Sequence, residues 1–367
     1  MQSLASLHSR LRPPHSSHPA VSHAAAHTGQ HPASISHALN IAWQDAQPAT
    51  LAQLLHDELQ PLHPNSILRP HKRNLTLLAT HSPQLLIEEP LLAAAAGVPL
   101  TLRPPHALTP LAELLTRQLN LPNITTTYWP SSTTTANTLA PYQHITLYGQ
   151  PASHQAILPL LSPHHHLRAH TAGVSIAILT SPPTDTTLQH LAEATAISNQ
   201  LGCFSPRLCI SLTPLPPERL HQLLNLLNLF PLPPTPPSLY PAISELQALT
   251  HWQTGSLHLT HTSPSTPSSH IYYLPSPASP PPLSPGFHHL PIIYLPQAQQ
   301  LPELLRPYLN HLSTIGHDLH PSPPPDFLSD LPAHRIVPIP CMQRPSLHRS
   351  HDGASRVRRW FREQSVR

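Results

Sequence analysis

The chain predicts an α/β protein built on parallel sheets, and three observations carry that reading. From Arg73 onward, short apolar runs alternate with amphipathic helical stretches, the pattern of strand–helix–strand units covered on both faces. Proline, 52 of 367 residues, falls mostly between these runs, so it separates elements rather than dissolving them. Apolar residues make up 39% of the chain, enough for a sizeable core and two domains.

Residues 1–40 are rich in His, Ser, Ala and Pro without sustained periodicity, and read as a low-complexity, mobile leader. Residues 42–59 allow a helix. The run 74–79 reads as a buried strand, closed by the turn Thr80-His81-Ser82-Pro83. A helix over 84–96, bent at Pro90, ends at Gly97, and 98–103 forms the next strand. Thr109 caps a helix with Pro110 at its first position and Leu111, Leu114, Leu115 and Leu119 on one face. Two more strands lie at 124–128 and 144–148, the second followed by Gly149 and a helix to about residue 161. Ligands of such sheets bind beyond the carboxyl ends of the strands, which singles out the turn after residue 79 and Gly149. The first domain is expected over 41–170, with a boundary near Thr171.

In the second half, Leu191, Ala194, Ile197 and Leu201 recur at helical spacing. The predicted helix starts at Asp185, after Ser181-Pro182-Pro183, and ends at Gly202, a residue suited to a left-handed cap. Cys203 then stands on a sharp turn, because Pro206 forbids the helix from resuming, and 208–212 forms a strand. A thiol between helix and strand is where a nucleophile is presented to a substrate. A helix over 217–230, strands at 271–274 and 292–295 and a short helix at 302–312 complete a domain over 171–334. Residues 335–367 form a C-terminal segment whose basic end, around Trp360 and Phe361, reads as a solvated amphipathic helix end.

Composition narrows the function. The net charge of +3, without a basic stripe interleaved with aromatics except at the extreme C-terminus, argues against nucleic acid. Three cysteines without framework spacing fit thiols in a reducing compartment. No run of about 18 apolar residues and no charged-then-apolar leader exists, so a cytoplasmic protein without a membrane span is expected. The chain has no H-E-x-x-H and no Cys pair at metal spacing; most of the 32 histidines read as solvated surface positions, and no metal is expected.

The segment Asn199-Gln200-Leu201-Gly202-Cys203-Phe204-Ser205-Pro206 resembles the Q-Q-G-C-x-S-P segment of bacterial acyl-CoA reductases of the bioluminescence type, thioester-reducing relatives within the aldehyde dehydrogenase superfamily. Arg335-Ile336-Val337-Pro338-Ile339-Pro340-Cys341-Met342-Gln343-Arg344-Pro345, followed by His351-Asp352-Gly353, resembles the family's R-x-x-P-x-G-x-M-Q-x-P and H-D-G. Pro340 replaces a glycine there, and Cys341 a typically basic residue. The strand–turn–helix–strand over 75–103 is similar to the family segment that reads A-G-N-V-P and ends in K-P-S, with Arg103-Pro104 in place of Lys-Pro. Leu147-Tyr148-Gly149-Gln150 resembles the strand-end Gly-Ser of the cofactor site, and Gly173 and Ser175 fall near a Gly-His-x-x-Ser. The likeness spans residues 65–365.

That resemblance implies an aldehyde-dehydrogenase-like fold, with a parallel-sheet cofactor domain and an α/β catalytic domain. It implies NADPH, with NADH as the alternative, held by Thr80, Ser82, Arg103 and Gly149. Cys203 becomes the nucleophile, and His81, standing where the superfamily has an asparagine, an oxyanion donor. The implied reaction is reduction of a fatty acyl-CoA or acyl-carrier thioester to the aldehyde through an acyl-cysteine. A homo-oligomer or an acyl-transferring protein is the implied partner. The altered residues at positions 81 and 103 support one rival, a non-catalytic relative with a degraded cofactor site. A disordered His/Pro-rich interaction protein is a second.

Overall fold

A computed structural model describes residues 4–63, 65–171, 173–260, 267–277, 280–319, 326–348 and 354–365. The chain forms two compact units, Met1–Ala172 together with Ser346–Arg367, and Gly173–Pro345. The expected C-terminal segment over 335–367 is therefore divided: its first part completes the second unit and its remainder returns to the first. Its His351-Asp352-Gly353 motif lies outside the described residues.

In the first unit β1 (Ser66–Pro70) precedes five parallel strands: β2 (Asn74–Leu77), β3 (Leu100–Arg103), β4 (Ile124–Thr126), β5 (His144–Gly149) and β6 (His166–Thr171). Their order, β4-β3-β2-β5-β6, reverses direction between β3 and β5 about the first-entered strand β2. β2 is buried at every position, as a central strand covered on both faces must be. The helix Leu85–Ala95 is continuous through Pro90 and ends with Gly97 at φ +69, the left-handed value expected of a helix stop.

Residues 4–45 are not a mobile leader. They form helices Leu4–Arg10, Pro19–Thr28 and Pro32–Asp45, and Leu11, Val21, Ile35 and Leu39 are buried in the core beside Leu86 and Leu111. Two of these helices begin with a histidine cap followed by proline: His18 Nδ1 accepts from the Ala20 amide and His31 Nδ1 from that of Ala33. Histidine is an uncommon cap, which is why the helices were hidden in an apparently featureless stretch.

The second unit carries β7 (Val174–Leu179), β8 (Pro206–Ser211), β9 (Leu257–Thr260), β10 (His270–Leu274), β11 (His289–Tyr294), β12 (Leu312–His317) and β13 (Arg335–Pro338), in the order β13-β12-β7-β8-β11-β10-β9. Every neighbouring pair is parallel except β9 with β10 at one edge. Back in the first unit, β14 (Phe361–Ser365) pairs antiparallel with β1.

The basic tail is a strand and a buried anchor rather than a solvated helix. Arg356 and Trp360 are fully buried. Arg356 Nη2 donates to Glu88 at 2.6 Å and Arg359 Nη2 to Glu89 at 2.5 Å, while Tyr148 donates to Glu89 at 2.9 Å. Charges brought out of water need such partners. Glu58 accepts the amides of Arg356 and Val357, which fixes the backbone that presents them. Most of the described histidines lie at least partly at the surface, but His144, His170, His288, His289 and His317 are buried.

Candidate functional site

The residues expected on the cofactor side share one edge. Thr80, His81 and Ser82 follow β2, Arg103 ends β3 and Gly149 ends β5, all at the carboxyl ends of parallel strands. Parallel strands bring these turns to one side of a sheet, at the point where the strand order reverses about β2. His81 is largely buried, and desolvation pulls its imidazole below the ordinary histidine range. Its Nδ1 is buried without a hydrogen-bond partner, an orphaned polar atom at this edge. Arg103 is differently employed: Nε and Nη2 donate to the Trp129 carbonyl at 3.1 and 2.5 Å, and Nη2 to Ser131 Oγ at 3.1 Å. Its charge stays at the edge while those donors hold the segment after β4.

Cys203 belongs to the other unit, on a turn ahead of β8, at the amino edge of the seven-stranded sheet. The helix before it runs from Asp185 to Ala196 and stops six residues short of Gly202. The left-handed residues are Ser198, Asn199 and Gln200, at φ 57, 53 and 61. For side chains with a Cβ this conformation costs about 1–2 kcal/mol per residue, so the surroundings must enforce it. They do. The Phe287 amide donates to the Asn199 carbonyl at 2.7 Å, and His288 Nε2–H to that of Ala196 at 3.3 Å. Gln200 Nε2 donates to the Pro206 carbonyl at 2.8 Å, closing the turn from within. Gly286, at φ +102, lies so close to Leu201 that a Cβ there would stand 2.7 Å from Leu201 Cδ2.

The two segments that resemble acyl-CoA reductase motifs meet at this turn. Gln343 Nε2 donates to Ser205 Oγ at 2.9 Å and to the Ala194 carbonyl at 2.6 Å, tying turn and helix end together. The Arg335 guanidinium lies 4.8 Å from the centre of the Phe204 ring, next to the thiol residue. Ser175 donates to the Cys203 carbonyl at 2.6 Å, anchoring the turn to the start of β7. Gln343 and Arg335 were legible only as motif letters; the bracing loop at 286–288 had no sequence signal beyond Gly286. No disulfide joins the three cysteines. Cys209 is fully buried in β8 and burial pushes its thiol far up, whereas Cys203 is partly exposed.

No protein-family model and no curated protein sequence matches the chain. Solved structures do. A NAD-dependent benzaldehyde dehydrogenase from Corynebacterium glutamicum superposes with a TM-score of 0.71 at 13% identity, over 98% of this chain and 81% of that one. The fold is that of the aldehyde dehydrogenases. An acetylating aldehyde dehydrogenase from Geobacillus thermoglucosidasius gives 0.67 at 14% identity, over 98% and 89%. A variant of proline utilization A from Bradyrhizobium japonicum gives 0.67 at 13% identity, with 99% of this chain covering 42% of the longer protein. At these identities the likeness is one of fold. Among the described residues no helix is long and apolar enough to cross a membrane.

Proposed function

We propose that the chain reduces an acyl-CoA or acyl-carrier thioester to the aldehyde through an acyl-Cys203 intermediate. The observation that carries this reading is the construction of the Cys203 turn, where Gln343 and Arg335 brace the residues beside a partly exposed thiol. In the reading, the Cys203 thiolate attacks the thioester carbonyl carbon; the bond from that carbon to the carrier sulfur breaks, and the carrier thiolate leaves and takes a proton. Arg335 packs its guanidinium against the ring of Phe204, the residue that follows Cys203. NADPH, when bound, would supply a hydride to the acyl carbon, and breaking of the bond from that carbon to Cys203 Sγ would release the aldehyde and regenerate the thiolate. The residues at the edge of the first sheet fit such a group: His81 offers an orphaned nitrogen, and Thr80 and Ser82 offer hydroxyls beside Gly149. Arg103 contributes charge suited to a 2′-phosphate.

A non-catalytic relative is the second reading, favoured by the commitment of Arg103 Nε and Nη2 to Trp129 and Ser131. The loss of absorbance at 340 nm, followed with NADPH and acyl-CoAs of varied chain length, separates the two. Catalysis predicts turnover in the parent and none in a Cys203→Ser variant that melts like it. Absence of turnover and of covalent acylation with every donor favours the second reading.

A further inference from the structure

The first unit carries a cluster that neither the fold nor the proposed chemistry uses. His23 and His27 project from one face of the helix Pro19–Thr28 at i, i+4 spacing. His106 opens the short 3₁₀ turn His106–Leu108 after β3. One ring nitrogen from each lies within 4.8 Å of the others, and the ring centroids stand 4.2 Å (His23–His27), 5.8 Å (His23–His106) and 5.7 Å (His27–His106) apart. We propose that His23, His27 and His106 bind a divalent first-row transition metal such as zinc.

Donor chemistry supports a metal over an ordinary ring stack. His27 Nδ1 contacts the His23 carbonyl at 2.9 Å, and a carbonyl only accepts, so Nδ1 carries the proton and Nε2 keeps its lone pair. A backbone carbonyl that fixes the tautomer in this way is the usual support of a metal-binding imidazole. His23 Nε2 is buried with no hydrogen-bond partner, a polar atom lacking the ligand that would satisfy it. Pro104 and Pro105 stiffen the approach to His106.

Tetrahedral zinc with bonds of about 2.0–2.1 Å places its nitrogens about 3.3 Å apart, so small side-chain rotations close the site. Three imidazoles leave a fourth position for water. His27 and His106 are exposed, which makes the ion exchangeable. A bound ion would clip the Pro19–Thr28 helix to the segment leaving β3, and so to the Arg103 end of the cofactor edge.

The test uses the full chain without an affinity tag, titrated with zinc chloride by calorimetry and with cobalt(II) by absorption. One tight equivalent is expected, with the intense visible bands of a four-coordinate cobalt site and a higher melting temperature in zinc. His27→Asn and His106→Asn, both at exposed positions, should each weaken that equivalent about 100-fold and abolish the zinc-dependent rise, while His164→Asn leaves both unchanged. Survival of the tight equivalent in both variants overturns the proposal, as does a parent that binds zinc no tighter than millimolar.

Discussion

Gln343 holds two polar groups that no other side chain is placed to satisfy together, Ser205 Oγ and the Ala194 carbonyl. Gln343→Leu takes the donor away from both, leaving Ser205 Oγ its own bond to the Ile197 carbonyl, and is expected to destabilise the second unit by about 1–3 kcal/mol. It should slow acylation of Cys203 more than the small unfolded fraction explains, which single-turnover mass spectrometry at matched folded concentration checks. At Gly286 the φ of +102 strains any residue with a Cβ, and a methyl group there must also push aside the end of the Leu201 side chain. Gly286→Ala is therefore expected to cost about 1–3 kcal/mol in a denaturant melt, although the position looks like an ordinary loop glycine. Arg103 tests the cofactor edge. With Arg103→Met, affinity for NADPH should fall about tenfold more than affinity for NADH, since only the former carries the extra phosphate; equal losses would assign Arg103 solely to holding Trp129.

At the scale of elements, the C-terminal anchor has a clear energetic signature. Glu89 is buried among Arg359, Arg356 and Tyr148, and removing one partner from such a group strands the others' charges. Glu89→Ala is expected to destabilise the first unit by about 3–5 kcal/mol, read as a lower denaturant midpoint. Burial by itself raises the Glu89 carboxyl, but Arg359 and Arg356 outweigh it and hold the group below the usual carboxylate range. Its contribution is therefore present above the unfolded carboxylate range and lost as pH falls through the depressed folded value. Periodicity and proline punctuation made the strands legible, β2, β3, β5 and β8 among them, because a buried strand is a local apolar run. The helix before Cys203 was overextended, since Ile197 and Leu201 continue the helical spacing while the chain itself turns left-handed at Ser198. That reversal is imposed by Phe287 and His288, distant residues whose hydrogen bonds leave no periodic trace. The tail was misread for a related reason: basic residues suggest solvent until their carboxylate partners, Glu88 and Glu89, are known.

For the whole molecule, the few buried histidines depart from a surface reading that holds for most of the others. A chain with 32 of them invites a surface assignment, yet His288 is held down to about 4 and His289 to about 3, in each case first by burial. The unfolded chain takes up these protons near pH 6.5 and the folded chain does not, so stability is full above that pH and falls below it. The loss amounts to about 1.4 kcal/mol per pH unit for each such histidine, down to its folded value. Denaturant melts at pH 7 and pH 5 should show it, with a shallower slope in a folded His288→Gln variant. The α/β class and the Cys203 turn were legible because alternation and helix-to-strand breaks are written locally. The packed N-terminal helices, the braces on the turn and the cluster of His23, His27 and His106 depend on which distant residues meet. The central claim concerns one sulfur atom, and intact-mass analysis after incubation with acyl-CoA, without NADPH, tests it most directly. The parent and folded Cys209→Ser and Cys341→Ser variants should each gain one acyl group, and folded Cys203→Ser none. Labelling that persists in Cys203→Ser, or a parent that gains no acyl group from any donor, would contradict the account.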